Sequence, residues 1–195
     1  DIFILHPKGR VSDVQRRQMT TASEANVHNI AIEGTFDDCQ AIVKSLFNDE
    51  GLRDRLQLTG INSINWARIL AQTVYYFTSA VALGAPERSV AFTVPTGNFG
   101  DIFAGYAASA MGLPVKRLVI ATNLNDSLPR ALATGIYEPR GVIATSSPSM
   151  DIQLASNFER LLFELAGRRA LRVRSLMDEL RETGRFRLQK SEIRD

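Results

Sequence analysis

The sequence predicts an α/β fold, with a mostly parallel sheet and helices on both of its faces. Short apolar runs alternate with stretches in which apolar residues recur every three or four positions, as in amphipathic helices. Helix-start patterns follow several of these runs, so the chain is organised as repeated βα units. Because parallel strands are joined by crossovers that are usually helical, this alternation favours a parallel sheet covered by helices.

The first part of the chain is predicted to contain two strands and three helices. Strands are expected at 3–6 and 28–33, where apolar runs are short. Ser12 begins a capping-box pattern, Ser-Asp-Val-Gln, which opens a helix that reaches about residue 19. Thr35 opens a second helix with one apolar face, and a third, long helix spans about 63–83.

The second part of the chain is predicted to continue the same alternation. Strands are expected at 89–94, 117–121 and, as a short one, 141–144. Helices are expected at about 100–111, 127–133, 151–166 and 170–183. On this pattern the chain is wholly helical after Ser149.

The segment 69–86 has no charged residue and, at 18 residues, is close to the length of a transmembrane helix. It contains several polar residues, and its flanks show no anchoring pattern. We interpret it as a buried central helix and expect no membrane partner.

Composition excludes several classes of protein. At 195 residues, 45% apolar and 23% charged, the chain is unlike disordered, collagen-like or coiled-coil sequences. Its single cysteine, Cys39, excludes a disulfide framework and a cysteine-rich metal site, and two histidines leave little material for zinc. No metal is expected, and the lack of a signal-peptide pattern makes a reducing cytoplasm the expected location.

Positive charge is concentrated in a basic tail, residues 167–195. Residues 168–195 carry nine Lys and Arg against five Asp and Glu, whereas the remainder carries 14 against 16. Such a tail can bind nucleic acid or an anionic membrane, but acidic residues are interleaved here. We therefore favour a solvated amphipathic helix and expect no nucleic-acid partner.

A glycine-rich turn, Thr96-Gly-Asn-Phe-Gly-Asp101, joins the predicted strand 89–94 to the helix that follows it. Ligands of open α/β sheets bind at the carboxyl ends of strands, and a helix N-terminus there favours an anion such as phosphate. Glycines let the backbone approach that anion closely. The pattern is neither a Walker loop nor a dinucleotide fingerprint, and an ordinary βα turn remains the alternative.

A second candidate binding motif is the segment Ile61-Asn-Ser-Ile-Asn-Trp-Ala-Arg68. Asn62 and Ser63 are good N-caps, and on a helix that starts there Asn65 and Arg68 share a face. An arginine beside such a helix start is typical of a second anion site, because its guanidinium binds anions in a bidentate way. The alternative is a capped helix with one surface arginine.

These two segments, 62–68 and 95–101, together resemble the threonine synthase family, whose members are pyridoxal-phosphate enzymes of fold type II. Three further stretches extend the resemblance in order along the chain: 5–19, 26–40 and 148–160. The resemblance covers roughly residues 1–165. It implies the tryptophan-synthase-β-like α/β fold, with pyridoxal 5'-phosphate as cofactor and O-phospho-L-homoserine as substrate, which water converts to L-threonine and phosphate in amino-acid biosynthesis.

The resemblance also implies residue roles. The turn Gly97, Asn98, Phe99 and Gly100 matches the loop that holds the cofactor phosphate, and Thr96 and Asp101 flank that loop. Asp101 is expected to cap the following helix, since a second anion in contact with the phosphate would be repelled. The substrate phosphate is assigned to the second motif, that is, to Asn62, Ser63, Asn65 and Arg68.

No lysine of this chain matches the family's Schiff-base lysine, which the resemblance places upstream of the matched region. The four lysines are Lys8, Lys44, Lys116 and Lys190, of which only Lys8 lies near a site edge by topology. The chain opens at Asp1 directly before an apolar run. We therefore expect an internal fragment, inactive alone, with 1–166 as part of the cofactor-binding region and 167–195 as a basic helical extension.

Two other functions remain open at this point. One is a different fold-type-II pyridoxal-phosphate enzyme acting on an amino acid. The other is a non-catalytic phosphate-binding module, which the lack of a suitable lysine favours. The sequence does not specify an oligomeric state.

Overall fold

A computed structural model of the chain describes residues 1–189 and Glu192. Its strands are β1 (Ile2–Pro7), β2 (Val27–Ile32), β3 (Val90–Pro95), β4 (Val115–Ala121), β5 (Ile136–Tyr137) and β6 (Phe186–Arg187). Its α-helices are α1 (Asp13–Thr20), α2 (Phe36–Asn48), α3 (Glu50–Leu56), α4 (Trp66–Ala82), α5 (Gly100–Ala110), α6 (Ser127–Thr134), α7 (Phe158–Leu165) and α8 (Ala170–Thr183). A short 3₁₀ helix covers Pro148–Met150.

Parallel strand pairs form the α/β framework. β1 pairs in parallel with β2, and β3 pairs in parallel with β4, each pair being joined by a helical crossover. β5 and β6 form a short antiparallel pair. The α/β class and the parallel strands are confirmed, but within the described residues the strands form three separate two-stranded ladders instead of one continuous sheet.

Two of the three helix starts predicted in the first part of the chain are confirmed by their caps, whereas the third helix, α4, begins at Trp66 instead of about residue 63. The Ser12 hydroxyl accepts a hydrogen bond from Gln15 N, and the Thr35 hydroxyl accepts one from Asp38 N. In both cases the side chain three residues on bonds back to the cap, which completes a capping box. The sequence reading missed α3, whose N-cap is Asp49.

The strand predicted at 141–144 does not form. The side-chain amide of Asn125 donates to the carbonyl of Ile143 at 2.9 Å and accepts from its N–H at 2.9 Å. A side chain thus satisfies the backbone groups that a neighbouring strand would otherwise bond. Residues 138–147 are an irregular connection as a result.

The chain after Ser149 is not wholly helical, and α7 is shorter than predicted. Residues 151–157 are irregular because their polar groups bond elsewhere: the Asp151 carboxylate accepts from Thr145 N at 2.9 Å. In the basic tail α8 forms as predicted, but β6 follows it and pairs with β5. A two-residue strand carries too little pattern to be recognised in a sequence. Phe186, on β6, is fully buried.

The core lies between α4, α5 and the β3–β4 pair. Ile69, Tyr76 and Ala80 of α4 are buried, as are most residues of α5. α4 covers most of the uncharged segment 69–86, but only one of its faces is buried, since Leu70, Val74 and Val81 are exposed. The prediction of a buried central helix is therefore wrong for the outer face of α4. No helix among residues 1–189 and Glu192 is long and apolar enough to cross a membrane. This packing places the start of α5 against the middle of α4 and against the loop that precedes α4.

Tyr137 gives the fold a testable pH dependence. Its hydroxyl donates to the Gln153 carbonyl at 3.1 Å and accepts from Ala155 N at 2.9 Å, and burial raises its pKa to about 12. Because this folded pKa exceeds the unfolded value of about 10, its contribution to stability is complete below about pH 10 and is lost as the pH rises through about 12. Tyr137→Phe is expected to lower the free energy of unfolding by about 1–3 kcal/mol at pH 8.

The same substitution is expected to flatten the loss of stability between pH 10 and 12, with the remaining slope due to other buried tyrosines. Urea unfolding at pH 8 and pH 11 measures both effects. Tyr106→Phe is the matched control for loss of a tyrosine hydroxyl, because that ring is partly exposed and the substitution should leave the free energy of unfolding at pH 8 unchanged. A Tyr137→Phe variant with the wild-type slope would contradict the account.

Candidate functional site

The glycine-rich turn lies at the carboxyl end of β3, as predicted. Thr96 is buried, its N–H donates to the Ala121 carbonyl at 2.8 Å, and its hydroxyl donates to the Val94 carbonyl at 2.7 Å. These bonds tie the start of the turn to the ends of β3 and β4. Thr96 therefore anchors the turn with its hydroxyl already engaged.

The N-terminus of α5 presents backbone N–H groups at the end of the turn. The first hydrogen bond at this helix start joins Phe103 N to the Phe99 carbonyl at 3.1 Å. The N–H groups of Gly100, Asp101 and Ile102 precede it, so no helical carbonyl is available to them. Together with the positive end of the helix dipole, they can bind an anion such as phosphate.

Phe99 adopts the left-handed conformation, with φ of 66°. This geometry costs a non-glycine residue of order 1 kcal/mol and persists only where surrounding contacts require it. The Phe99 ring is buried and packs edge-on against Phe158, with 5.4 Å between ring centroids. Aromatic packing thus fixes the backbone turn from which α5 starts.

Both glycines of the turn are closely packed. A Cβ atom on Gly97 would lie 3.0 Å from Ile152 Cδ1, and one on Gly100 would lie 3.3 Å from Asn157 Nδ2. These contacts are tighter than most Cβ atoms make, so a side chain at either position would have to displace its neighbour. The sequence predicted close approach of the glycines to an anion, whereas the contacts found here are with neighbouring chain segments.

Asn98 connects the turn to the start of α7. Its carbonyl accepts from Asn157 N at 3.0 Å, and its Oδ1 accepts from Ser156 N at 3.4 Å. The Asn98 backbone is therefore held from a segment about 60 residues further along the chain.

Asp101 does not cap α5, contrary to the prediction. The N-cap position is Phe99, where no side-chain cap forms, and Asp101 lies in the first turn of the helix. The Asp101 carboxylate accepts hydrogen bonds from Tyr75 Oη at 2.5 Å and Tyr76 Oη at 3.0 Å. Burial raises the pKa of both tyrosines, and Asp101 raises it further, so both remain neutral donors. Asp101 thus joins α5 to α4.

The second motif forms a loop that leads into α4. The helix begins at Trp66 with Asn65 as its N-cap, whereas the sequence had suggested Asn62 and Ser63 as caps. Asn65 Oδ1 accepts from Ala67 N at 2.8 Å, and its Nδ2 donates to the Gly60 carbonyl at 2.5 Å. The Asn65 side-chain amide bonds to backbone groups of both the loop and the helix. Asn65 is therefore a better N-cap than Asn62 or Ser63.

The side chains of Asn62 and Ser63, both in that loop, have different roles. Asn62 Oδ1 accepts from Ile64 N at 3.1 Å, which shapes the turn. Ser63 lies beside the glycine-rich turn, with its Cβ 3.8 Å from the position of a Cβ on Gly100. The structure therefore brings the two sequence motifs together.

Arg68 lies on the first turn of α4 with its side chain exposed. Its Nη1 donates weakly to the Ile61 carbonyl at 3.4 Å. Among residues 1–189 and Glu192, no carboxylate forms an ion pair with it. Its charge is available to an anion at the N-terminus of α4.

Three residues at this site were not selected from the sequence. Gln72 Oε1 lies 3.9 Å from the position of a Cβ on Gly100. Asn157 Nδ2 donates to the Ser63 carbonyl at 2.9 Å, and Arg160 Nη2 donates to the Ile64 carbonyl at 2.8 Å. Residues 156–160 had contributed only to the family resemblance, because nothing in their local pattern shows which segments they contact.

The lysines do not converge on this site. Lys8 Nζ lies 2.5 Å from Glu33 Oε1 in an exposed ion pair. Lys44 lines a cleft of about 610 Å³ that is also lined by Ile64, Trp66 and Arg160, but by no residue of the glycine-rich turn. Lys190 lies outside the described residues. Cys39 is buried, which raises the pKa of its thiol, as expected for a structural cysteine. The described residues contain no group of three side chains suited to a metal ion.

Several known proteins resemble this chain, although no family model matches it. Threonine synthase from Pseudomonas aeruginosa is 59% identical over 186 residues, covering 95% of this chain and 40% of the relative. That from Saccharomyces cerevisiae is 48% identical, covering 98% of this chain and 40% of the relative. The chain thus spans about two fifths of these relatives.

Solved structures of threonine synthases also resemble this chain. A pyridoxal-phosphate-bound threonine synthase from Brucella melitensis has a TM-score of 0.86 at 62% identity, covering 99% of this chain and 42% of that one. The yeast threonine synthase has a TM-score of 0.80 at 48% identity, with coverages of 99% and 40%.

Proposed function

Because this chain belongs by sequence and fold to the threonine synthases over the segment that it spans, we propose that it holds the phosphate of pyridoxal 5'-phosphate in such an enzyme. The whole protein converts O-phospho-L-homoserine and water to L-threonine and phosphate. One observation carries the proposal: a tightly packed glycine turn leads into the N-terminus of α5, directly beside a second loop whose arginine has no ion-pair partner among residues 1–189 and Glu192.

The residues of the turn fit the phosphate group of the cofactor. Three N–H groups at the start of α5 lack helical partners, and the helix dipole adds positive potential. Gly97 and Gly100 let the turn pack closely against Ile152 and Asn157, which holds the backbone N–H groups in place. The cofactor, when bound, supplies an electron sink that stabilises negative charge on substrate carbon.

The neighbouring residues have positioning and binding roles in this proposal. Thr96 anchors the turn, Asn98 holds it to α7, and Phe99 sets its backbone angle. The Asp101 carboxylate is held against α4 by its two tyrosine donors, which weakens the repulsion that a carboxylate free to approach the phosphate would cause.

The substrate phosphate binds at the second loop. The Ser63 hydroxyl and the Arg68 guanidinium meet the phosphate oxygens, since Arg68 has no competing carboxylate among the described residues. Asn62 and Asn65 act indirectly, because their side-chain oxygens already bond to the loop and helix backbone.

The remaining features complete the proposal. The lysine that carries the cofactor is not one of the four in this chain, and the ion pair of Lys8 with Glu33 supports this assignment for Lys8. Residues 1–166 form part of the cofactor-binding region and 167–195 its basic extension. The enzyme works in the cytoplasm on a small molecule, without a nucleic-acid or membrane partner.

The decisive assay of function follows two products from O-phospho-L-homoserine in the whole protein. Phosphate and threonine are expected in equal amounts, and only when pyridoxal phosphate is present. Turnover of unphosphorylated amino acids alone would favour a different pyridoxal-phosphate enzyme. Phosphate binding without turnover would favour a non-catalytic module.

A further inference from the structure

We propose that Asn157 and Arg160, at the start of α7, are positioning residues that fix the cofactor-phosphate turn and the substrate-phosphate loop relative to each other. This inference rests on the function proposed above. It adds that the spacing of the two phosphate sites is set by a third chain segment, whose side chains bond to the backbone of the substrate-phosphate loop and whose backbone bonds to the cofactor-phosphate turn.

Asn157 contacts both sites at once. Its Nδ2 donates to the Ser63 carbonyl at 2.9 Å, in the substrate-phosphate loop. Its N–H donates to the Asn98 carbonyl at 3.0 Å, in the cofactor-phosphate turn. Its Nδ2 also lies against Gly100, 3.3 Å from where a Cβ would be. A single residue thus connects to Ser63, which lies 94 positions earlier in the chain, and to Asn98, which lies 59 positions earlier.

The burial of Asn157 makes these bonds obligatory. The residue is 1% exposed, and a buried amide without partners costs roughly 1–3 kcal/mol per group. Its Oδ1 accepts from Arg160 Nε at 2.9 Å, so the side-chain amide is engaged at both ends. A fully engaged buried amide has one favourable orientation, which fixes the position of Ser63.

Arg160 bonds directly to only one of the two sites, the substrate-phosphate loop. Its Nη2 donates to the Ile64 carbonyl at 2.8 Å, and its guanidinium lies 5.4 Å from the centre of the Trp66 ring. Burial lowers its pKa from the ordinary arginine value. Arg160 therefore holds the substrate-phosphate loop directly and reaches the turn only through Asn157.

Accurate spacing matters because one substrate must be held between two anion sites. Misplacement of a bound group by about 1 Å costs roughly 100-fold in rate, even when the change lies away from the chemistry. Two phosphates in adjacent sites also repel each other. The turn and the loop therefore need a further contact to keep the distance between the two phosphates fixed. A rigid bridge to the backbone of both supplies that distance.

Substitutions of Asn157 and of Arg160 are expected to change the Kd and KM of the whole protein in different ways. Asn157→Leu keeps the volume but removes every side-chain bond. We expect about a tenfold increase in the KM for O-phospho-L-homoserine, because the side-chain bond to the Ser63 carbonyl is lost. The Kd for pyridoxal phosphate should also rise, because a methyl group replaces Nδ2 against Gly100 in the turn. Arg160→Lys retains the charge but loses the planar guanidinium geometry. It should raise KM alone and leave the Kd unchanged.

Glu159→Gln is the matched control, because Glu159 is exposed on the same helix and should change neither constant. Circular dichroism and thermal melting record whether each variant folds. If Asn157→Leu does not fold, Arg160→Lys decides alone: a raised KM with the wild-type Kd supports the bridge, and any other result overturns it.

The outcomes separate this inference from the function on which it rests. A wild-type protein that neither binds pyridoxal phosphate nor turns over the substrate rejects the proposed function. A functional wild type whose Asn157→Leu variant melts earlier but keeps both constants rejects the bridge, since Asn157 would then be merely structural.

Discussion

Replacing Gly97 with valine is expected to weaken pyridoxal phosphate binding by at least about 100-fold, because the turn then cannot keep its shape. The first added carbon would already lie 3.0 Å from Ile152 Cδ1 and 3.5 Å from Met150 Sδ. Valine adds two more carbons, and overpacking of this kind typically costs about 1–3 kcal/mol. The N–H groups that meet the phosphate move with the turn, so several hydrogen bonds weaken together.

The measurement is a titration of the wild type and the variant with pyridoxal phosphate, together with thermal melting in inorganic phosphate. Gly141→Val is the matched control, because nothing lies within 4 Å of a Cβ at that position. The control should bind like the wild type. Wild-type phosphate-dependent melting shifts in Gly97→Val would remove the turn as the cofactor-phosphate site.

Replacing Arg68 with alanine should raise the KM for O-phospho-L-homoserine by about 10- to 100-fold, as the loss of a charge-assisted hydrogen bond implies. The affinity for pyridoxal phosphate should stay unchanged, because Arg68 lies on α4 and not on the glycine-rich turn. Arg68→Lys should recover part of the loss, since it keeps the charge without the bidentate geometry.

Steady-state kinetics with varied substrate measure this change. Arg88→Ala, at an exposed arginine beyond the far end of α4, is the control and should leave KM unchanged. An Arg68→Ala enzyme with unchanged KM would assign the substrate phosphate to other residues. A parallel loss of cofactor affinity would mean that the two phosphate sites are not distinct.

The features that local chemistry determines were predictable from the sequence. The capping boxes at Ser12 and Thr35 depend on residues three positions apart, and both formed. The turn between β3 and α5 was located because a buried apolar run, two glycines and a second apolar run follow each other directly. Such signals need no knowledge of distant segments.

The features that failed depend on contacts between distant parts of the chain. Asn125 replaces a strand partner for Ile143 across 18 positions, and no local pattern at 141–144 reveals this. Asp101 was expected to cap α5, yet its partners come from α4, 25 and 26 positions earlier.

Asn157 shows the same limit at the site itself. Its segment reads as ordinary helix, and its bond to the Ser63 carbonyl crosses 94 positions. Sequence reasoning therefore selected both segments that we propose as phosphate sites, but not the segment that joins them.

The most direct test of the central claim compares pyridoxal phosphate with pyridoxal, which lacks the phosphate. Binding of each to the chain can be followed by the fluorescence of Trp66, its single tryptophan, which lies at the start of α4 beside the second loop. The account predicts that pyridoxal phosphate binds at least about 100-fold more tightly than pyridoxal, and that Gly97→Val removes this difference. Equal affinity of the wild type for the two compounds would contradict the assignment of the turn to the cofactor phosphate.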